Sequence, residues 1–281
     1  MPARVRLVTD SNCDIPPDLV RRHALVVVPS ILHISQRAYR DGVELSRAEF
    51  YQRLPSLRPP PTTAAPSAGE FEAAYRAAGD GPVVGIFLAA AFSGLCDIAR
   101  LGAEAFGERV SVVDSGSVSL GLGFQVLAAA EAAERGATVT EVLAVVRSVQ
   151  RRLRLIAALD TVEYLRRGGR AGAITAGLSH LLQIKPLLEV SHSQVQSVAR
   201  VRTRAKAHAA LVERVAALAP LERLAVLHTA APEDALALAE RLAPLVQRAP
   251  LVAEATAVIG AHVGPGALAA AVVSADAAPL T

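Results

Sequence analysis

Residues 83–115 read VVGIFLAAAFSGLCDIARLGAEAFGERVSVVDS, and this stretch decides the fold. Val83–Leu88 is an unbroken apolar run of the length of one strand, the pattern of a strand buried on both faces. A short turn, Ala89–Gly94, leads into a helix through about Ala105. A second apolar strand, Val110–Val113, ends at Asp114-Ser115. Strand, helix, strand without a tight hairpin turn predicts parallel pairing through a crossover helix.

Working outward, the same alternation recurs. Val5–Val8 reads as a buried strand ending in Thr9-Asp10-Ser11, followed by Pro16-Pro17 and a short helix. Leu25–Val28 and Ile31–Ile34 read as strands broken at Pro29. Ser46 and Glu49 form a capping box for a helix to about Leu54. The Pro-rich segment Leu57–Ser67 reads as a rigid extended loop, because residues before proline avoid the helical region. Ser67 with Glu70 and Thr138 with Glu141 start further helices, and a long Ala-rich helix runs to about Arg135.

From Leu153 the pattern changes. Helices are predicted at about 161–167, ending at Gly168-Gly169, and at 174–182. Two strands, Pro186–Val190 and Val195–Val201, flank the turn Ser191-His-Ser-Gln194. Helix 203–218, strand 223–229, helix 232–248 and strands 251–258 and 267–273 complete the chain. A tight turn between strands implies antiparallel pairing. The expectation is an α/β protein of two domains, a parallel-sheet domain over 1–155 and an α+β domain over 156–281.

The chain has 281 residues, 52% of them hydrophobic and 20% charged, which excludes intrinsic disorder. No apolar run is long enough to span a bilayer. The N-terminus, MPARVRLVTDS, has no apolar stretch typical of a signal peptide, so a cytoplasmic location is expected. A net charge of +3 with Arg spread along the chain and 4% aromatics argues against nucleic acid. Cys13 and Cys96 form neither a metal pair nor a disulfide framework, and no His spacing suits a metal. With no Trp and one Met, the core must be aliphatic.

Familiar catalytic motifs are absent. No phosphate loop occurs, Gly121-Leu-Gly123 lacks the third glycine of a dinucleotide site, and Ser93 lacks the first glycine of a nucleophile elbow. What remains is a set of hydroxyls in loops. Thr62 and Thr63 lie in the Pro-flanked segment. Ser93 and Gly94 follow a buried strand where a helix begins, a place that suits either an N-cap or an anionic oxygen. From position alone the capping reading comes first. In Ile259-Gly-Ala-His262-Val-Gly264-Pro-Gly266, glycines on both sides of one His suggest backbone crowding. Tyr164–Arg170 reads as a helix C-cap with Arg near the negative end of the dipole. Arg200, Arg202, Arg204 and Lys206, spaced by two, share one face if the strand continues.

Taken in order, these segments resemble the DegV family of bacterial fatty-acid-binding proteins. The matching stretches are Val8-Thr-Asp-Ser11, Tyr39-Arg-Asp-Gly42, Pro61–Ser67, Phe92-Ser-Gly94, Val113-Asp-Ser115 with Gly121 and Gly123, Tyr164–Arg170, Ile184-Lys-Pro186, Arg200-Val-Arg202 and Gly260–Gly266. The resemblance implies a DegV-like fold with a long-chain fatty acid held between two lobes. It implies that Thr63, Ser93 and His262 contact the carboxylate, with Thr62 and Gly94 near the head group, and that Arg202 and Arg200 dock a partner. By this likeness the protein is a non-catalytic monomer with no cofactor or metal. It presents its ligand to a separate fatty acid kinase that makes acyl phosphate for phospholipid synthesis, with transient contact at a membrane surface. Ala64, Ala65, Ala89, Ala90 and Leu95 replace family polar residues. Expected tunnel walls are Ile86, Leu88, Leu178, Leu181, Leu182 and Ile184.

Two alternatives follow from the same residues. Ser93 as nucleophile, His262 as base and Asp114 or Asp10 as orienting acid would make an acyl ester or thioester hydrolase, which requires mutual hydrogen-bond reach. Arg200, Arg202 and Arg204 would make a basic nucleic-acid-binding face.

Overall fold

The computed structural model describes residues 4–169 and 184–275. The helix expected at 174–182, with Leu178, Leu181 and Leu182, lies outside the described residues. Four strands, β1 (Arg6–Asp10), β2 (Val26–Val28), β6 (Val83–Phe87) and β7 (Val110–Asp114), pair in parallel in the order β2-β1-β6-β7. This is the sheet predicted from residues 83–115.

Two elements of the first half depart from expectation. The segment 57–67 is not all loop: Thr62–Ala64 forms an edge strand, β5, antiparallel to β3 (Ile31–Ile34). A second edge strand, β4 (Arg37–Arg40), completes a small sheet of order β4-β3-β5. Prolines 61 and 66 bracket β5, and an edge strand tolerates them because only one side of it pairs.

The second sheet has six strands. They are β8 (Leu153–Ala158), β9 (Lys185–Ser191), β10 (Gln194–Val201), β11 (Leu221–His228), β12 (Leu251–Glu254) and β13 (Leu268–Ser274). Their order is β10-β9-β8-β13-β11-β12, antiparallel except for the parallel pair β11–β12. His192 and Ser193 carry φ of 49° and 63° in the β9–β10 turn, the backbone that a two-residue hairpin of this twist requires. The change from one sheet to the other falls between Arg152 and Leu153.

Ten helices are named here: α1 (Pro17–Arg22), α2 (Arg47–Arg53), α3 (Ala68–Ala77), α4 (Leu95–Ala103), α5 (Leu120–Glu134), α6 (Val139–Arg152), α7 (Glu163–Arg167), α8 (Arg204–Ala216), α9 (Pro232–Leu242) and α10 (Ala257–Val263). Ser67 and Thr138 make full reciprocal capping boxes with Glu70 and Glu141. The strand expected at 251–258 stops at Glu254. Thr256 then starts α10, so His262 sits in the last turn of a helix, not in a loop. The cationic run also changes: Thr203 caps α8, so Arg204 leaves the strand face and pairs with Asp160 and Asp234.

Helix α5 explains the layering. Thirteen of its 15 residues are buried, as a helix apolar on every side requires. It packs on β1 and β6 on one side and on β8, β11 and β13 on the other. Two apolar clusters close the outer faces: α3 and α4 cover the parallel sheet, and α8 and α9 cover the six-stranded one. Gly123 lets α5 approach closely, because a Cβ there would lie 2.6 Å from the Cys13 carbonyl oxygen. Cys13 and Cys96 are buried free thiols. Among the described residues no helix is long and apolar enough to cross a membrane.

Candidate functional site

Where α5 begins, the space between the two large sheets is left open. A cavity of about 390 Å³ lies there, within the roughly 300–1,000 Å³ of small-molecule sites. Asn12, Ser30 and Leu88, which follow the carboxyl ends of β1, β2 and β6, line one wall. That is where open parallel sheets gather ligands.

The opposite wall is the six-stranded sheet. Side chains alternate across each strand, and those at 155, 157, 188, 190, 227 and 269 face inward. Ala157 and Ala269 pair directly, flanked by Leu188 on β9 and Leu227 on β11. Both alanines stay half-exposed although they belong to central strands. Two small side chains between two leucines leave a furrow in the sheet.

Polar side chains reach this apolar space from three separate segments. Thr63 on β5 and His262 on α10 share a hydrogen bond, Oγ1 to Nε2, of 2.9 Å across 199 residues of sequence. Ser93 lines the same cavity, and its Oγ accepts from the Leu95 N–H at 3.3 Å. That bond is a local serine turn one residue ahead of the N-cap, which is Gly94, so Ser93 does not take the expected capping position but does stand on the cavity wall. Ala64, Ala65 and Leu95 also line the cavity, as does Leu88.

Other expectations fall elsewhere. Thr62 is exposed and is not on the wall. Gly94 is the N-cap residue of α4 and is not on the wall. Ile86 points into the layer around α5, while Ile184 packs with Leu159, Leu165 and Leu188. Arg200 and Arg202 are exposed at the end of β10 and just beyond it, away from the cavity. The glycines around His262 are crowded by tyrosines: a Cβ at Gly260 would strike the Tyr51 ring, and one at Gly264 would strike Tyr164.

The hydrolase arrangement is not formed. His262 Nε2 faces Thr63. Asp114 accepts from the amides of Ala90 and Gly116, and Asp10 accepts from Asn12 and from the Leu88 amide. Neither acid orients an imidazole, so Ser93 has no relay.

Sequence reasoning missed several wall residues, among them Asn12, Ser30, Ser119, His228 and Thr229. Only the strand-end rule could have pointed to the first two. Gly168, expected as a helix stop and found as the C-cap of α7, has a second part that the sequence did not reveal: any side chain there would collide with His262 Nδ1. The glycine lets the end of α7 lie against the imidazole.

Behind the wall lies a buried acidic group. Asp10 holds Asn12, whose side-chain amide donates to Ser30 Oγ at 2.9 Å. Asp14 accepts from Ser119 Oγ at 2.5 Å and from the Thr256 amide at 2.8 Å. Burial pushes Asp10 up to about 6 against the amides of Leu88 and Asn12, which lower it. Burial likewise pushes Asp14 from 3.8 up to about 7, opposed first by Arg47.

A value raised in the folded state means that the fold keeps a proton the unfolded chain releases. The Asp14 contribution to stability is therefore complete below about pH 4 and is lost as pH rises through about 7. Asp14→Asn is expected to gain stability relative to wild type by on the order of 2–3 kcal/mol between pH 5 and pH 8. Urea unfolding of both proteins across that range checks this. A constant difference contradicts the buried ionisable carboxyl.

The fold is of the α/β class, and its cavity at strand ends, apolar with a few polar groups, has the make-up of a small-molecule site. The family model described as "Uncharacterised protein, DegV family" matches residues 4–275, and the chain belongs to the DegV family. A DegV domain-containing protein of Streptomyces coelicolor is 39% identical over 98% of this chain and 100% of its own length. A Thermus thermophilus DegV family protein, described for its fatty acid binding, shares 34% identity. It superposes with a TM-score of 0.89 over 97% of this chain and 100% of that one. DegV of Bacillus subtilis, described as a fatty acid binding protein, shares 28% identity with a TM-score of 0.85, over 96% and 99%.

Proposed function

We propose that this chain binds a long-chain fatty acid in the cavity, with Thr63, Ser93 and His262 meeting its carboxylate. The observation that carries this reading is that those three side chains line one mainly apolar cavity, with Thr63 and His262 hydrogen-bonded to each other. The fatty acid binding described for the relatives from Thermus thermophilus and Bacillus subtilis supports it.

The energetics favour a hydrocarbon ligand. A chain of about 16 carbons buries about 14 methylenes, worth on the order of 11 kcal/mol gross. Two hydroxyl bonds to a carboxylate add at most about 1.5–3 kcal/mol each, against desolvation of the charge. The tail supplies affinity, and the hydroxyls fix orientation.

Our reading extends to a role. The chain is non-catalytic, acts in the cytoplasm, and presents the bound carboxylate to a separate fatty acid kinase, with exposed Arg200 and Arg202 contributing to docking. The two lobes are the domains expected over 1–155 and 156–281, the change of sheet lying just ahead of that boundary, between Arg152 and Leu153. Native mass spectrometry of freshly purified protein tests the ligand class: a co-purifying acid of about 16–18 carbons, or stoichiometric uptake of added palmitate, is expected. An empty protein that takes up no acid contradicts the reading.

A further inference from the structure

The helix that carries His262 is short. Residues Ala257–Val263 make under two full turns, too few to hold a direction by internal hydrogen bonds alone. Its orientation depends on what grips its ends. The grip at the amino end comes from residues more than 200 positions earlier. The Thr256 amide donates to Asp14 Oδ1 at 2.8 Å. Tyr51 Oη donates to the carbonyls of Ala255 at 2.8 Å and Thr256 at 3.2 Å, and its ring lies against Gly260. The amides of Ala257 and Val258 face the Asp41 carboxylate without closing to full hydrogen-bond geometry. Arg47 bonds the Glu254 carbonyl and lies 3.8 Å from Asp14.

Asp14 is itself built for this contact. Its φ is 52°, the left-handed region that aspartate and asparagine enter more readily than most residues. It is 1% exposed, and its second oxygen is taken by Ser119, a residue of the cavity wall. A carboxylate at a helix amino end also complements the helix dipole.

We infer that Asp14, backed by Asp41, is a positioning residue: it ties the amino end of α10 to the N-terminal sheet and so sets where His262 meets a bound carboxylate. This rests on the fatty-acid reading above. His262 stands six residues beyond Thr256. A tilt at the tied end therefore moves the imidazole away from Thr63, and Val258, Ile259 and Val263 of α10 move with it, while the apolar wall formed by the six-stranded sheet keeps its place.

The test compares palmitic acid with hexadecanol, which has the same tail and no carboxyl, on four proteins: wild type, Asp14→Gly, Asp14→Asn and His262→Ala. Glycine fits the left-handed backbone and removes the carboxylate. Asparagine keeps an acceptor for Thr256. Wild type is expected to prefer the acid. Asp14→Gly is expected to lose about tenfold of that preference, the scale of one hydrogen bond to a charged group. Hexadecanol affinity should fall by clearly less, because the sheet wall under the tail is untouched, and Asp14→Asn should restore most of the preference. In the His262→Ala background, Asp14→Gly should cause no further loss.

A purely structural Asp14 would weaken acid and alcohol alike, and that result overturns the inference. So does an equal loss of preference with and without His262. If Asp14→Gly does not fold, Asp41→Ala, at a position whose backbone is not left-handed, replaces it, and failure of both assigns these carboxyls to the fold alone. A wild type that binds neither ligand, or shows no preference for the acid, overturns the fatty-acid reading itself. A wild-type preference that Asp14→Gly leaves intact overturns only the positioning role.

Discussion

Replacing Ala157 and Ala269 together by leucine is expected to weaken binding of long-chain fatty acids on the order of 100-fold while the chain stays folded. The two residues are direct neighbours on β8 and β13. They floor the furrow between Leu188 and Leu227, and all four line the cavity. Two leucines put six further carbon atoms into a space of about 390 Å³. Each methylene of the ligand forced back into water forfeits about 0.8 kcal/mol. Displacing four therefore weakens palmitate by on the order of 100-fold. An eight-carbon acid, which needs less of the furrow, is expected to keep most of its affinity. The fold should not suffer, because the new side chains fill apolar space instead of displacing packed groups. Titration with acids of graded length, beside thermal unfolding, checks both halves. Unchanged palmitate affinity would mean that the tail does not lie over this floor.

The second large effect concerns orientation, not affinity. Removing both hydroxyls in Thr63→Ala with Ser93→Ala leaves the apolar walls intact, so palmitate binding is expected to fall only about tenfold, with water replacing part of what is lost. On the proposed role, acyl phosphate formation by a fatty acid kinase is expected to fall at least about 100-fold. Phosphoryl transfer demands that the attacking oxygen be held in line, and a misplacement of about 1 Å is enough for a loss of that size. The comparison needs direct binding and single-turnover phosphorylation on the same protein. Equal losses in the two would assign the hydroxyls to binding alone. An unaffected phosphorylation rate would remove them from the head-group site.

The parallel sheet was legible because its strands are buried on both faces and read as plain apolar runs. The capping boxes at Ser67 and Thr138 were legible because their signal is local. The short edge strand β5 was not, since a three-residue strand between prolines carries no periodicity and exists only because β3 offers a free edge. The helix Ala257–Val263 was not legible for a related reason: its first two residues fall in the strand expected at 251–258, and no element is expected over the rest. Its first residues are β-branched and small, and its ties are to Asp14, Tyr51 and Asp41, which no local pattern reveals. Thr63, Ser93 and His262 could be singled out as polar groups in unusual settings. Their meeting could not be read from spacing, because the Thr63–His262 contact spans 199 residues. The bond also corrects the hydrolase alternative, in which the imidazole would have faced Ser93.

The most direct test is the carbon NMR spectrum of palmitate labelled at its carboxyl carbon and bound to the protein. One sharp bound signal is expected, displaced from that of the free acid, and His262→Ala or the Thr63→Ala, Ser93→Ala pair should shift it markedly. A bound carboxyl signal that matches the acid in water and ignores all three substitutions would contradict the account.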